Sequence, residues 1–254
     1  MSHCSSMTSS SADQVHRREH VFGWFLLATL LPILIMPFSN LAGNLLQRTL
    51  LGLVTLHLVV QSLRLMPKPV PGMNLLGGSH FYRALGVCTV IAMLVPVFLG
   101  HHSKGWMHAL ILGGISVFYF LTAVRVVQIL AMVEGVNSRI LCLGAAGYVH
   151  LGLTAGQFAT FLEVIKPGSF SLGAMLPGEE LVERLNYYAF VTMGSIGYGD
   201  VLPVTPLAEF YAVVVSLAGT LYVSLMIGLL LSRYINDQAK AMKQALEDEG
   251  HSKL

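Results

Sequence analysis

The residues that suggest a chemistry run from Thr192 to Asp200, in the order Thr-Met-Gly-Ser-Ile-Gly-Tyr-Gly-Asp, between two long apolar stretches. Gly197 and Gly199 permit backbone angles that other residues adopt only with strain, so successive carbonyl oxygens can be turned toward one axis. Ser195 adds a hydroxyl. Rings of carbonyl oxygens from several copies of such a loop can replace the hydration shell of a cation. The segment therefore has the chemistry of a cation site made mainly from backbone.

The segment resembles the filter of the potassium-selective pore-loop channels, whose pattern is Thr-x-x-Thr-x-Gly-Tyr-Gly-Asp. It departs from that pattern at Ser195, which keeps the hydroxyl of the second threonine. The resemblance implies an innermost potassium site at Ser195, with carbonyl oxygens further out and Asp200 at the outer mouth. The filter would consist of Ser195, Ile196, Gly197, Tyr198 and Gly199, with K⁺ bound at the first four of these residues.

The resemblance also implies an aromatic cuff around the filter. The Tyr198 ring would pack outward against the pore-helix positions Tyr187 and Tyr188, where the family usually has tryptophan, and the Thr192 hydroxyl would anchor it. Tyrosine keeps an apolar ring with a polar tip, so the cuff should be altered but present. The alternative is an ordinary turn, since glycine and aspartate are turn residues anywhere. The length of the match and its membrane setting favour the filter.

Composition indicates an integral membrane protein. Only 11% of the 254 residues are charged and 54% are hydrophobic, with a mean hydropathy of +0.68, whereas an ordinary soluble domain has about 25% charged residues. The three cysteines imply no disulfide framework. The sequence has no phosphate-cradling Gly-rich Lys loop and no nucleophile paired with a base. We therefore expect no enzymatic activity, no organic cofactor and no nucleic-acid partner, with the lipid bilayer and K⁺ as the surroundings and the cargo.

Six apolar stretches suit membrane-spanning helices, which need about 20 residues each; they are 21–38, 44–65, 84–100, 107–131, 139–165 and 207–233. A shorter stretch at 182–193 suits a re-entrant pore helix. The predicted fold is all-α, with the pore helix and filter between helices 5 and 6. The predicted parts are a disordered cytoplasmic N-terminus at 1–20, a four-helix membrane domain at 21–133, a pore domain at 139–233 and a cytoplasmic tail at 234–254.

The distribution of lysine and arginine predicts the orientation. With the N-terminus inside, the cytoplasmic side holds most basic residues, namely Arg17, Arg18, Arg64, Lys68, Arg83, Arg139, Arg233, Lys240, Lys243 and Lys253. This predicts a multi-pass protein of the plasma membrane with both termini cytoplasmic. Six acidic residues would then surround the outer vestibule and concentrate cations there, or simply keep the surface wet; they are Glu163, Glu179, Glu180, Glu183, Asp200 and Glu209.

One filter loop per chain cannot surround an ion, and no second copy of the motif occurs in the sequence. Closed cyclic symmetry would supply the missing copies, which predicts a homotetramer with one central pore.

The last apolar stretch would line the pore. The resemblance implies an inner-helix hinge at Gly219, twenty residues after Gly199; close helix packing is the alternative, since small residues are common at membrane helix interfaces. The pore-lining candidates recur at helical spacing and are Thr220, Val223, Ile227 and Leu231. Residues 234–250 could continue the helix, with Ile235, Ala239, Met242 and Leu246 on one face, or fray.

The first four helices have the layout of a voltage sensor but not its charges. The fourth carries only Arg125, and no acidic residue occurs between Glu19 and Glu134, whereas membrane-embedded arginines need partners. We expect Arg125 to extend to the cytoplasmic interface, His57 to hydrogen-bond between helices, and the histidines at 101, 102 and 108 to be solvated.

The sequence thus predicts a potassium-selective channel that conducts passively and is not strongly voltage-gated. A non-selective cation channel and a membrane sensor or scaffold with a vestigial pore are the alternatives.

Overall fold

Seven helices and a short β-ribbon make up the part of the chain that the structure, a computed structural model, describes: residues 22–35, 44–65, 79–99, 105–132, 138–175 and 180–252. The predicted N-terminal segment 1–20 lies outside these residues. The elements are α1 (Phe22–Ile35), α2 (Asn44–Leu65), α3 (Ser79–Leu99), α4 (Gly105–Met132), α5 (Ser138–Ile165), β1 (Phe170–Ser171), α6 (Leu181–Met193), β2 (Leu202–Pro203) and α7 (Pro206–Ser252).

The helices follow the apolar stretches that the sequence predicts, and the predicted short helix is α6. Two differences stand out. The ribbon of β1 and β2 was not expected in an all-α fold, and of the two alternatives for the predicted tail the structure has the continued helix, since α7 runs without a break to Ser252. Within the described residues, two stretches are long and apolar enough to cross a membrane, Ala109–Ala131 and Pro206–Asn236. Spanning by all six predicted segments stays a prediction.

Helix α7 begins where its sequence provides the start signals. Thr205 precedes the helix, and its hydroxyl accepts a 3.4 Å hydrogen bond from the Ala208 N–H. This satisfies one of the N–H groups that a helix start leaves without an intrahelical acceptor. Pro206 occupies the first helical position, where its fixed φ suits the helix and the missing N–H costs nothing.

The helices that flank the predicted filter, α6 and α7, both pack against helix α5. Four of its glycines each receive a side chain from α6 or α7, and a methyl group at any of them would overlap that side chain. We call these positions the glycine sockets; they are Gly144 for Met226, Gly147 for Tyr222, Gly152 for Phe190 and Gly156 for Asn186. Small residues let helix backbones approach closely where lipid supplies no hydrophobic drive. The sockets therefore set the spacing of α6 and α7 from α5.

Two tyrosines fix the docking of α7 through their hydroxyl groups. The Tyr222 hydroxyl donates a 2.8 Å hydrogen bond to the Gly144 carbonyl oxygen, and the Tyr211 hydroxyl donates to the carbonyl oxygen of Ala155. Both acceptors lie on α5, and a buried hydroxyl without a partner would cost free energy. These bonds determine the register in which α7 lies along α5.

The opposite side of α5 packs on α4, which in turn packs on α3. A continuous apolar core crosses this contact and includes Phe25, Leu58, Phe118 and Leu143. His150 of α5 is fully buried in it, with its Nε2 atom 3.1 Å from the Tyr119 carbonyl oxygen. Helix α5 is thus shared between the front helices and the helices around the filter.

Two expectations about the front helices are wrong. Arg125 does not extend to an interface: its side chain is only 6% exposed and its guanidinium lies 4.1 Å from the ring centroid of Tyr82 on α3. The Tyr82 hydroxyl in turn lies 2.8 Å from the Thr122 hydroxyl, one turn before Arg125 on α4. The cation–π contact and this hydrogen bond hold the arginine between helices. His57 is exposed on α2 rather than bonded between helices; the buried interhelical histidine is His150.

Candidate functional site

Helix α6 aims its carbonyl end at the predicted filter. Its start is stabilised by Glu183, whose carboxylate accepts a 3.3 Å hydrogen bond from the Glu180 N–H. It ends at Met193, followed by Gly194 as the C-terminal cap. A helix carries partial negative charge at its carbonyl end, which favours a nearby cation. The loop that follows is therefore in a field that suits a positive ion.

The loop folds back on the end of α6 through its N–H groups. The Ser195 N–H donates to the Thr192 carbonyl oxygen at 3.0 Å, and the Ile196 N–H donates to the Val191 carbonyl oxygen at 2.9 Å. The Gly197 N–H shares this acceptor at 3.4 Å. No peptide bond is cis in the described residues, and in a trans peptide the C=O opposes the N–H. The carbonyl oxygens of Ser195 and Ile196 therefore point away from α6.

The backbone angles of the loop alternate in hand. Ser195, Gly197 and Gly199 have positive φ values of 56°, 60° and 80°, whereas Ile196 and Tyr198 do not have positive φ. When residues with positive and negative φ alternate, successive peptide planes turn the same way. Groups of the same kind, N–H or C=O, then lie on one side of the loop. Ser195 is the only residue other than glycine with positive φ among the described residues. Such strain is often stored at functional sites.

The far side of the loop has no covering within one chain. Every residue from Gly194 to Asp200 is exposed, and Tyr198 is 69% exposed. Among the described residues, its ring makes no ring–ring contact, so the predicted cuff contact with Tyr187 and Tyr188 is not made within a chain. Instead, Tyr188 packs edge-on against Phe170 of β1 at 5.3 Å. The cuff stays a prediction about the assembled protein.

The segment between α5 and α6, which we call the turret (residues 166–175), is tied to the chain beyond the filter. The Glu163 carboxylate accepts hydrogen bonds from the N–H groups of Gly168 at 2.7 Å and Phe170 at 2.9 Å. Strand β1 pairs antiparallel with β2, with Phe170 opposite Pro203. The ribbon of β1 and β2 therefore connects the segment before α6 with the segment after the filter, at the outer end of the loop.

The predicted acidic ring is largely occupied by contacts within the chain. The carboxylate of Glu163 is taken up by the turret, and Glu183 is buried at the start of α6. Asp200 faces Arg184 of α6, with 3.5 Å between its Oδ2 atom and Nη2 of the arginine. Glu179 lies outside the described residues. Glu209 is exposed. The charge of the outer vestibule stays a prediction about the assembled protein.

An electrostatic interaction also links Asp200 with Tyr187 of α6. Desolvation and, next, the negatively charged Asp200 carboxylate raise the pKa of Tyr187.

The predicted hinge is a close packing position. A methyl group at Gly219 would overlap the Cγ atom and the carbonyl oxygen of Met193 and would lie 3.1 Å from its carbonyl carbon. Met193 is the last residue of α6, directly before the loop. This observation supports the packing alternative, and the hinge stays a prediction. The predicted pore-lining side chains are all exposed in one chain: Thr220, Val223, Ile227 and Leu231.

The sequence missed the residues that act across long separations. No sequence motif identifies these residues, because each acts through a partner more than ten residues away in the chain. They are Arg184, Tyr211 and Tyr222. The histidines at 101 and 102 lie outside the described residues, and the side chain of His108 is not described. No group of three metal-ligating side chains occurs in the described part of the chain.

Comparison with known proteins found a match that includes the predicted filter. Residues 173–236 match a family model described as an ion channel. The match covers α6, the loop and most of the apolar part of α7, and it supports an ion-channel function in a membrane. No curated protein matches the chain, and no solved structure matches it.

Proposed function

We propose that four copies of the chain form a potassium-selective channel in which the loop from Ser195 to Gly199 is the filter. One observation carries this proposal: the loop donates its N–H groups to the end of α6 and leaves an exposed far side toward which the Ser195 and Ile196 carbonyl oxygens can point. A cage of carbonyl oxygens needs this arrangement, because the ion must meet oxygen atoms and not N–H groups. The match to an ion-channel model over the same residues supports it.

The homotetramer follows from the open far side of the loop. A single loop offers oxygen atoms from one direction only, whereas a dehydrated ion needs them all round. Four copies about one axis would complete the cage and would bring the exposed faces of α7 together. The pore-lining residues would then be Thr220, Val223, Ile227 and Leu231.

Selectivity for potassium rests on the loop's residue types. The Ser195 hydroxyl supplies the innermost oxygen atoms, and the Gly-Tyr-Gly sequence permits the alternating angles observed at 197 and 199. The carbonyl end of α6 favours a cation at the inner end of the loop.

The front helices do not form a steep voltage sensor in this proposal. Their only arginine on α4 is Arg125, which is held against Tyr82. No acidic residue lies between Glu19 and Glu134 to receive it along a path across the membrane. The front helices instead support the pore through their packing on α5.

Ion flux through purified protein in liposomes tests the proposal. Vesicles loaded with potassium should accumulate tracer rubidium or lose potassium far faster than they exchange sodium. Equal sodium and potassium permeability would make the protein a non-selective cation channel. No flux from a well-assembled tetramer would favour the sensor or scaffold.

Gly197→Ala with Gly168→Ala as its control links the flux to the loop. Both glycines have positive φ, 60° and 84°, and at neither would a methyl group meet another atom within 4 Å in the chain. Both variants thus carry a similar backbone strain, about 1–2 kcal/mol, but only Gly197 lies in the filter. Gly197→Ala should abolish potassium flux, and Gly168→Ala in the turret should retain it. A conducting Gly197→Ala protein would show that the loop is not the filter.

A further inference from the structure

Arg184 occupies an unusual place at the outer end of the loop. Its Nε atom donates a 2.9 Å hydrogen bond to the carbonyl oxygen of Leu172 in the turret. Its Nη2 atom lies 3.5 Å from the Asp200 carboxylate, just beyond the filter. One planar guanidinium therefore joins three segments of the chain: the turret, α6 and the end of the loop.

The turret backbone also approaches the end of the loop directly. At Gly173, which has a φ of 64°, an added methyl group would lie 2.5 Å from the Asp200 carbonyl oxygen and 3.1 Å from Arg184 Nη2. Only glycine fits here, both for its φ and for the space. We call this set of contacts the outer clasp; it consists of Leu172, Gly173, Arg184 and Asp200.

We propose that Arg184 is a positioning residue of the filter, acting through the outer clasp; this inference rests on the proposed channel function. Asp200 directly follows Gly199, so fixing the Asp200 side chain and backbone fixes the outermost part of the filter. The arginine also compensates the Asp200 charge, so the outer mouth presents less negative charge to arriving cations. Arg184 thereby influences the ion path without touching an ion.

The geometry of the clasp requires an arginine. A guanidinium presents donors in a rigid fork and can serve a carbonyl oxygen and a carboxylate together, whereas lysine is a single point charge on a flexible stem. Arg184 is largely shielded from solvent, at 15% exposure, while the Asp200 side chain is 41% exposed. An ion pair with one exposed partner contributes little by charge alone. The hydrogen bond to the turret is what makes the arginine a fixed support.

Arg184→Lys and Arg184→Gln, with Lys166→Gln as the control, separate positioning from charge. Lys166 is an exposed turret residue, so the control removes a positive charge from the same surface without touching the clasp. Amide hydrogen exchange of the segment 194–203 in the tetramer should be about fivefold faster in both arginine variants and unchanged in the control. Wild-type exchange in Arg184→Lys would overturn the positioning role. This measurement does not depend on conduction, so the clasp and the channel function can fail separately.

A functional readout completes the test. Bound potassium stabilises the loop conformation that binds it, so channel openings in planar bilayers should shorten in both arginine variants at low external potassium and recover at high external potassium. Arg184→Gln combined with Asp200→Asn should have a smaller effect than the sum of the two single variants, since the two residues act as a pair. Additive effects in the double variant would refute the pairing.

Discussion

Gly219→Ala distinguishes a hinge from a packing position at the inner end of the filter. The added methyl group would overlap Met193, including its carbonyl oxygen, and overpacking of this kind typically costs about 1–3 kcal/mol. Alanine also gains up to ~1 kcal/mol over glycine in a helix interior. Gly228 lies on the same helix, and a methyl group there would meet no atom within 4 Å in the chain. This gain in helix propensity is common to both substitutions. The Gly219→Ala protein should therefore be less stable than the Gly228→Ala protein by about 1–3 kcal/mol.

Thermal unfolding of the tetramer measures this difference. For a chain of this size it corresponds to roughly 2–12 °C between the two midpoints. Since Met193 directly precedes the loop, Gly219→Ala should also lower potassium flux, and Gly228→Ala should not. Met193→Ala removes the Cγ atom from a buried position, so its own cost should be smaller in the Gly219→Ala background than in the wild type. Equal midpoints for the two glycine variants would refute the packing argument. Equal midpoints with flux altered only in Gly219→Ala would favour a hinge.

Two further predictions concern the cuff and the voltage response. Tyr198→Phe should weaken the assembled filter by about one hydrogen bond, on the order of 0.5–1.5 kcal/mol, and change selectivity or the duration of openings without loss of the tetramer; unchanged currents would show that the hydroxyl has no such role. Open probability should depend at most weakly on voltage, because one charge crossing the whole field yields only ~2.3 kcal/mol per 100 mV and Arg125 is held on Tyr82. Single-channel recordings at both voltage signs check this, and a steep response that Arg125→Gln removes would overturn it.

The parts of the molecule that the sequence predicted are those encoded locally. The positions of the helices follow from runs of apolar residues, and the conformation at Gly197 and Gly199 follows from residue type. The start of α7 is also encoded locally, by Thr205 and Pro206, although the apolar run alone places it at residue 207. In each case the information lies within a few residues of the feature.

The parts that the sequence did not predict depend on which helix faces which. Arg125 was expected at an interface because its partner Tyr82 lies 43 residues earlier, on another helix. The contacts of Glu163 with the turret and of Asp200 with Arg184 on α6 were not predicted, because they have no sequence signature. The twenty-residue spacing from Gly199 to Gly219 likewise cannot tell a hinge from a packing contact, because the contact is with Met193 on another helix. Each of these contacts depends on how the helices are rotated and shifted against one another. The spacing of apolar residues in the sequence does not determine this.

The glycine sockets of α5 limit how this protein can be recombined with others. A chimera that joins foreign front helices to α5 would remove the α4 surface that packs on α5. One that joins a foreign pore after α5 would leave the sockets without Met226, Tyr222, Phe190 and Asn186. Neither junction separates two self-sufficient units, because α5 has a fitted surface on each side. Any exchange of pore or front helices must therefore carry matching substitutions on α5, and the two halves of the chain are expected to vary together.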